Sequence, residues 1–241
     1  MTSKAKVERA LREKSDPVKA AFFPKFFKTG PGEYGEGDKF IGVVVPEQRR
    51  IAKKFRDLKR DEVKKLLDSP FHECRLTGLL ILVEQMQAAK NDKAAQKECV
   101  DFYLDNLDQV NNWDLVDSSA HKILGVYVLE NAKQRKLLRK LSRSDTMWHQ
   151  RVSVIATLPL TKAGEFDELL WLAKKLLAHP HDLMHKAIGW MLREAGKVDI
   201  AVLRGFLDTH ASQMPRTMLR YSIEKLDKNE RARWMAITPN N

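Results

Sequence analysis

A basic residue followed by small and apolar residues recurs at nearly constant spacing through the second half of the sequence. The segments read Arg151-Val-Ser-Val154, Lys186-Ala-Ile-Gly189 and Arg220-Tyr-Ser-Ile223, and their cations are 35 and 34 residues apart. Arg75-Leu-Thr-Gly78 shows the same pattern earlier in the chain. A period of this length, filled by two helices, is typical of stacked helical repeats, because one helix pair cannot bury its own apolar face.

The predicted fold class is all-α, a curved α-solenoid of HEAT-like two-helix repeats. Signals for β-strands are almost absent, and no unit carries the tryptophan-glycine-tyrosine pattern of a TPR repeat. We predict a single domain over residues 1–241, with divergent N-terminal helices at 1–70, regular helix pairs at 71–226 and a C-terminal tail at 227–241. The expected helices span about 71–89, 91–107, 112–130, 131–142, 147–158, 164–178, 182–196, 198–209 and 214–226.

One repeat departs from the charge pattern. Stacking would align the basic positions into a row on one surface, made of Arg75, Arg151, Lys186 and Arg220. One period before Arg151 the chain has Asp117, so a carboxylate replaces the cation in a chain of formal net charge +11. We predict Asp117 as the functional acid.

Tryptophans accompany these charged positions. Three of them lie three or four residues from a charged position, on the same predicted helix face: Trp113 with Asp117, Trp148 with Arg151, and Trp190 with Lys186. An indole face attracts cations, and two indoles beside a carboxylate suit a flat, positively charged group such as a purine alkylated at N3 or N7. The alternative for each tryptophan is packing in the core, where helical spacing often places this residue.

Composition indicates the partner and the cellular setting. The chain has 43 Lys and Arg against 32 Asp and Glu, which favours a polyanion as partner. Within it, residues 46–67 form a strongly basic helical stretch, either a solvated face or a phosphate-tracking one. Cys74 and Cys99 lack CxxC spacing and are expected to be reduced. No apolar run approaches a membrane span and no signal peptide is evident, which predicts a cytoplasmic protein, associated with the nucleoid in a bacterium.

Three further segments contain residue types that are found in ligand-binding or metal sites. Phenylalanines at positions 22, 23, 26 and 27 are expected in the core. The glycine-rich loop at 29–38 lacks the preceding strand and third glycine of a dinucleotide fingerprint, and is expected to be flexible or to face DNA. His179, His181 and His185 lie across a turn at Pro180 without a Cys or acidic cluster, so a polar turn entering a helix is favoured over a metal site. We expect no metal and no small-molecule cofactor.

Three motifs together resemble the signatures of the AlkD-type DNA alkylation repair glycosylases: Trp113-Asp114-x-x-Asp117, Trp148-x-Gln150-Arg151 and Lys186-Ala-Ile-Gly-Trp190-x-Leu-Arg193-Glu194. Gly42-Val43-x-x-Pro46 extends the resemblance towards the N-terminus. It implies a curved HEAT-like repeat protein that excises N3- and N7-alkylated purines without flipping the base. It also implies Asp117 as the catalytic carboxylate, Trp113 and Trp190 as flanking indoles, and Arg151 as a phosphate contact. The chain departs from the family at Phe26, where relatives can place a tyrosine.

The resulting functional prediction is a monofunctional DNA glycosylase that acts as a monomer on double-stranded DNA containing alkylated purines. The catalytic set is Asp117, Trp113 and Trp190, and the predicted DNA contacts are Arg75, Trp148, Arg151, Lys186, Arg193 and Arg220. A shallow repeat surface of this kind is expected to have no evident pocket. The main alternative is a non-enzymatic HEAT-like module that binds bent, branched or damaged DNA by shape, which would need the basic row but not Asp117 with both indoles. A protein-binding scaffold is a third possibility.

Overall fold

The structure, a computed structural model, describes residues 2–238. In that part of the chain every regular element is helical, apart from one isolated bridge between Lys39 and Phe71. The all-α class is confirmed, and the arrangement is consistent with a HEAT-like solenoid. None of the helices among residues 2–238 is both long and apolar enough to cross a bilayer. The chain forms two compact units, Met1–Ile123 and Leu124–Asn241.

The first unit is built around one central helix. Its helices are α1 (Lys4–Arg12), α2 (Pro17–Phe26), α3 (Val45–Lys54), α4 (Arg60–Leu67), α5 (His72–Ala88), α6 (Lys93–Asp105) and α7 (Trp113–Ser119). α5 packs against α1, α3, α4, α6 and α7. Its leucines and isoleucine are buried on every side rather than along one stripe, which is the pattern of a helix at the centre of a core. Because α5 packs on the helices that precede it, the N-terminal helices and the first regular helix pair share one compact unit.

The basic stretch 46–67, predicted as one helix, is two. α3 ends at Lys54 and α4 begins at Arg60, and the intervening Leu58 is buried. Gln85 of α5 stabilises the break, since its side-chain amide donates to the carbonyls of Arg56 and Leu58 at 2.7 Å each. Satisfying these two carbonyls from a neighbouring helix removes the need to continue α3.

The second unit also surrounds a long helix. Its helices are α8 (Val126–Glu130), α9 (Lys136–Leu141), α10 (Met147–Ile155), α11 (Leu158–Lys162), α12 (Asp167–Lys175), α13 (Asp182–Val198), α14 (Ile200–His210), α15 (Arg216–Ser222) and α16 (Lys228–Met235). α13 packs against α10, α11, α12, α14 and α15. Its apolar stripe, which includes Ile188, Met191 and Leu192, is fully buried.

Two predicted boundaries differ from the observed ones. The helix expected at about 112–130 is divided into α7, a π-helical segment at His121–Gly125, and α8. The segment expected to be a tail after residue 226 contains α16, where Trp234 is buried at 4% exposure. The last three residues of the predicted tail lie outside the described residues.

The glycine-rich loop of the first unit is tied at both ends. At its start the Gly35 amide donates to the carbonyl of Lys28 at 2.9 Å, and at its end the Asp38 side chain is buried. Gly42, a few residues on, has φ +91, and a Cβ there would lie 2.1 Å from the carbonyl oxygen of Asp16. Only glycine fits such a close approach in a left-handed conformation. The loop predicted to be flexible or to face DNA is thus anchored to the core of its unit.

Both cysteines are free and buried. Burial raises the pKa of the Cys74 thiol to about 11 and also raises the pKa of Cys99. The expectation of reduced packing cysteines agrees with their positions in α5 and α6.

Candidate functional site

Helix α7 presents the two residues on which the sequence prediction depends. Asn112 caps the helix, and its side-chain oxygen accepts from the backbone amide of Trp113 at 2.8 Å. Asp117 lies one turn further on, so that it shares a face with Trp113. Both side chains are half-buried, and both line the same cavity.

This cavity has a volume of about 410 Å³ and belongs entirely to the first unit. Its apolar wall is formed mainly by residues of α2 and of the segment leading into α3, namely Phe23, Phe26, Phe27, Phe40, Val43 and Pro46. Asp117 and Ser118 are among its polar lining. The prediction of a surface with no evident pocket was therefore wrong for this unit, because the N-terminal helices add an aromatic wall beside α7.

The aromatic wall extends onto the surface. The Trp113 ring stacks on Phe27, with centroids 5.5 Å apart at 17°, and contacts Phe26 edge-on at 5.8 Å. Phe26 in turn stacks with Phe22 at 6.0 Å. Phe22 is 56% and Phe26 is 50% exposed. The prediction that these phenylalanines are core residues holds for Phe27, which is buried. It does not hold for Phe22 and Phe26, which form an exposed aromatic edge next to Trp113.

A buried charged network lies beneath this wall. His72, at the start of α5, has Nδ1 2.8 Å from Oδ2 of Asp38 and Nε2 2.8 Å from Oδ2 of Asp114. The second Asp38 oxygen accepts from Arg75 at 2.6 Å. Burial disfavours charge on the ring, but the Asp114 and Asp38 carboxylates outweigh it and raise the pKa of His72 to about 9. No sequence pattern indicates this network, because its members lie 34 and 42 residues apart.

Glu73 holds the segment between the loop and α3. Its carboxylate is 1% exposed and accepts from the backbone amides of Ile41, Gly42 and Val43 at 2.7–3.2 Å. Three amides converging on one carboxylate fix a stretch of chain that has no ladder partners of its own. Val43 and Glu73 both line the cavity, so this anchor shapes the wall opposite α7.

The raised pKa of His72 predicts how stability depends on pH. A protonated ring stabilises the fold, so the contribution is fully present below the ordinary pKa of 6.5 and is lost as pH rises through about 9. The free energy of unfolding, measured by urea titration from about pH 6 to 10, should fall across that window. A His72→Gln variant should have a flatter profile. Equal slopes for the two proteins would contradict the assignment.

Arg75 does not offer its charge at the surface. It is 5% exposed, and its guanidinium pairs with Asp38 and donates to the carbonyl of Ser69 at 3.4 Å. In this position the cation neutralises a buried carboxylate, and the contact of Arg75 with DNA stays a prediction.

Two predicted DNA contacts of the second unit are buried as well. Trp148 is 8% and Arg151 is 4% exposed, and Nη1 of Arg151 donates to the carbonyl of Leu183 at the start of α13. Arg151 therefore joins α10 to α13, and neither side chain presents an open surface for a phosphate. Their burial favours a packing role, and their contact with DNA stays a prediction.

Replacing Arg151 with alanine should reduce stability rather than phosphate binding. Loss of a buried donor is expected to lower the free energy of unfolding by about 1–3 kcal/mol. The slope of log affinity against log salt should stay the same. Arg220→Ala is the matched comparison, because Arg220 is exposed and loss of one phosphate contact flattens that slope by about one. Fluorescence anisotropy with labelled duplex at several salt concentrations measures the salt slope of both variants. A flatter slope for Arg151→Ala would support a phosphate contact by Arg151.

The remaining predicted residues lie on α13 and α15. Lys186 is partly exposed and pairs with Asp182 at 2.7 Å. Trp190 is half-buried, and its indole N–H donates to Glu194 at 3.2 Å. Arg193 pairs with Glu194 at 3.3 Å and with Glu224. The roles of Lys186, Trp190, Arg193 and Arg220 towards DNA stay predictions.

The histidines at 179, 181 and 185 form a turn. The His181 ring accepts from the Leu183 amide at 3.1 Å and caps α13, and His185 donates to the carbonyl of His179. Within residues 2–238 no group of three or more His, Cys, Asp and Glu side chains is placed to hold a metal ion. The polar turn expected from the sequence is present.

The fold and the site together define an all-α protein with a carboxylate set beside stacked aromatic rings in an apolar cavity. Residues 7–226 match the family described as DNA alkylation repair enzyme. The chain belongs to that family. Among solved structures, one described as a predicted DNA alkylation repair enzyme from Enterococcus faecalis is similar, with a TM-score of 0.70 and 18% identity over 89% of this chain and 98% of that chain. At this identity the likeness shows the fold alone. No curated protein gives a significant match.

Proposed function

We propose that the protein is a monomeric cytoplasmic DNA glycosylase that hydrolyses the N-glycosidic bond of cationic N3- and N7-alkylated purines in duplex DNA and leaves an abasic site. The observation that carries the proposal is the pairing of Asp117 with Trp113 on one wall of an aromatic cavity, in a chain of the DNA alkylation repair family. A carboxylate alone on a helix would not support this proposal. A carboxylate beside an indole suits a cationic base.

The chemistry follows from the charge of the substrate. Alkylation at N3 or N7 leaves the purine cationic, so the bond from C1′ to the base nitrogen breaks with its electrons moving onto the base. The base departs neutral, and no general acid is needed. Positive charge then develops on the deoxyribose, where the Asp117 carboxylate stabilises it. Water forms the new bond to C1′, and its proton passes to Asp117 or to solvent.

The first unit has a candidate for the basic surface that would contact the phosphates of duplex DNA. Arg49, Arg50, Lys53 and Lys54 are exposed on α3, the helix that follows directly on the cavity wall at Val45 and Pro46. Phosphate contacts from such a helix would orient the duplex without reading its sequence. These four side chains are more accessible to phosphate than the buried Arg75 and Arg151.

The test is release of base from defined duplexes. A duplex with one N7-methylguanine is incubated with the protein, free base is quantified by chromatography, and abasic sites are revealed by alkaline cleavage. Spontaneous depurination in a reaction without protein is subtracted. Binding without release would support the alternative, a non-enzymatic module that recognises damaged DNA by shape.

We expect release to follow the charge of the lesion. N7-methylguanine and N3-methyladenine should be released, whereas the neutral lesions hypoxanthine and uracil should largely resist. Trp113→Leu keeps apolar bulk but removes the ring quadrupole, and should slow release by roughly 2- to 30-fold, the equivalent of about 0.5–2 kcal/mol. Trp190→Leu tests the second predicted indole in the same assay.

Trp171→Leu is the matched control, because Trp171 packs under Arg139 at 5.0 Å and does not line the cavity. Its rate should equal that of the parent. Efficient release of neutral lesions, or a Trp113→Leu variant as fast as the parent, would leave the indoles as packing residues.

A further inference from the structure

The geometry around His72 determines which form of the ring is present. Each ring nitrogen has a carboxylate oxygen at 2.8 Å, Asp38 on one side and Asp114 on the other. An ionised carboxylate only accepts hydrogen bonds, so both nitrogens must donate. The ring is therefore an imidazolium, and it is 1% exposed.

This imidazolium joins three separate segments of the first unit. Asp38 ends the glycine-rich loop, His72 begins α5, and Asp114 lies in the first turn of α7. The other oxygen of Asp114 accepts from the Leu115 amide at 2.8 Å, so the carboxylate is held by its own helix as well. The ion pair thus fixes where α7 begins.

Ring contacts of His72 support the same helix by a second route. The His72 ring packs against Phe27, with centroids 4.7 Å apart, and against Phe40 at 5.1 Å, and these two phenylalanines stack on each other. Phe27 is the ring on which Trp113 stacks. One residue therefore supports Trp113 by two routes, through Asp114 to the helix backbone and through Phe27 to the indole face.

The charges around the ring balance. Asp38 and Asp114 carry two negative charges, and His72 and Arg75 carry two positive ones. Glu73, which lines the same cavity, is occupied by three backbone amides. Loss of the His72 proton would leave two buried carboxylates with one cation, an arrangement that costs free energy until the network rearranges.

We propose that His72 is a positioning residue, which holds Trp113 and Asp117 in the geometry that excision requires while touching neither DNA nor the reacting atoms. The proposal rests on the proposed glycosylase function. A purely structural residue would affect stability alone. A positioning residue affects the chemical step more than DNA affinity, and its change is felt at Trp113 before the fold is lost.

The kinetic test compares His72→Gln with Glu168→Gln. Glu168 of α12 is a buried carboxylate that accepts from Arg139 of α9 at 2.9 and 3.0 Å, so its loss removes an ion pair that lies outside the cavity lining. Single-turnover release of N7-methylguanine by His72→Gln should be slowed about 10- to 100-fold, with duplex affinity changed less than about threefold. Glu168→Gln should release base at the parental rate. Equal rates for His72→Gln and the parent, or equal losses in the two variants, would overturn the proposal.

A second readout needs no enzymatic activity. The five tryptophans are labelled as 5-fluorotryptophan, and the ¹⁹F signal of Trp113 is identified by its absence in Trp113→Phe. In His72→Gln the Trp113 signal should shift or broaden. In Glu168→Gln the signal of Trp171, which packs on the same Arg139, should change while that of Trp113 does not.

The native protein supplies the deciding measurement if His72→Gln does not fold. Its Trp113 signal should move with a midpoint near pH 9 as the ring loses its proton, and the four other signals should not share that transition. A Trp113 signal that is unaffected between about pH 7 and 10 would overturn the proposal. If the native protein releases no base, the glycosylase function fails, while the fluorine titration still decides the role of His72.

Discussion

Asp117→Asn is expected to slow base release about 10²- to 10³-fold, the loss seen when one preorganised electrostatic contact to a transition state is removed. The change keeps the shape of the side chain and removes the charge that stabilises the deoxyribose cation. Fold and duplex affinity should be retained, because Asp117 is half-buried on the surface of α7 and repels rather than attracts phosphate. Single-turnover release and anisotropy on the same preparation measure both quantities.

The control for the change in net charge is Asp105→Asn. Asp105 is exposed at the end of α6 and does not line the cavity. Asp105→Asn raises the net charge by the same one unit as Asp117→Asn. A general effect of charge on DNA binding should therefore be equal in the two variants. Release at the parental rate by Asp117→Asn would remove Asp117 from the mechanism.

Glu73→Ala is expected to lower the free energy of unfolding by about 3–5 kcal/mol, the cost of removing one partner from a buried, charge-assisted set. Without the carboxylate, the amides of Ile41, Gly42 and Val43 would be buried without acceptors. The segment also contains the left-handed Gly42, so it has no alternative extended pairing available. Urea unfolding followed by circular dichroism measures the loss.

Glu98→Ala provides the comparison, since Glu98 is exposed on α6 and such changes usually stay within about 0.5 kcal/mol. A loss for Glu73→Ala as small as that of Glu98→Ala would mean that water replaces the carboxylate. The wall of the cavity would then owe its shape to packing alone.

The helical class was predictable because the repeated pattern of apolar residues is long and regular. Helices such as α5 and α13 have buried leucines and isoleucines at helical spacing, and they were predicted within a few residues of their observed ends. The break in the basic stretch 46–67 was not predictable, because it depends on Gln85, a residue 25 or more positions away in the sequence. Local propensity contains no information about such a partner.

The candidate site was also predictable only in part. The four-residue spacing of Trp113 and Asp117 alone indicates a shared face, and both residues line one cavity. Its aromatic wall and the support at His72 come from residues far apart in the chain. Asp114 is part of the motif Trp113-Asp114-x-x-Asp117, but nothing in the sequence connects it to His72.

The sequence does not determine which of the basic positions face solvent. Equivalent positions in a helical repeat can face solvent or the next helix, and the pattern of cation followed by small and apolar residues fits both. Arginine can be buried when its guanidinium finds a buried acceptor, as Arg75 does in Asp38 and Arg151 does in the carbonyl of Leu183. An exposed cation such as Arg220 gives the same sequence pattern.

The protonation state of the two thiols affects how well the protein resists alkylating agents. Agents that alkylate purines are electrophiles, and the thiolate of cysteine is among the best nucleophiles that a protein can offer them. Cys74 and Cys99 are both buried, and burial raises the pKa of each, so that both remain protonated at neutral pH. A member of the DNA alkylation repair family built in this way is a poor target for the reagents that create the damage, and should keep its fold through an exposure that inactivates proteins with accessible thiolates.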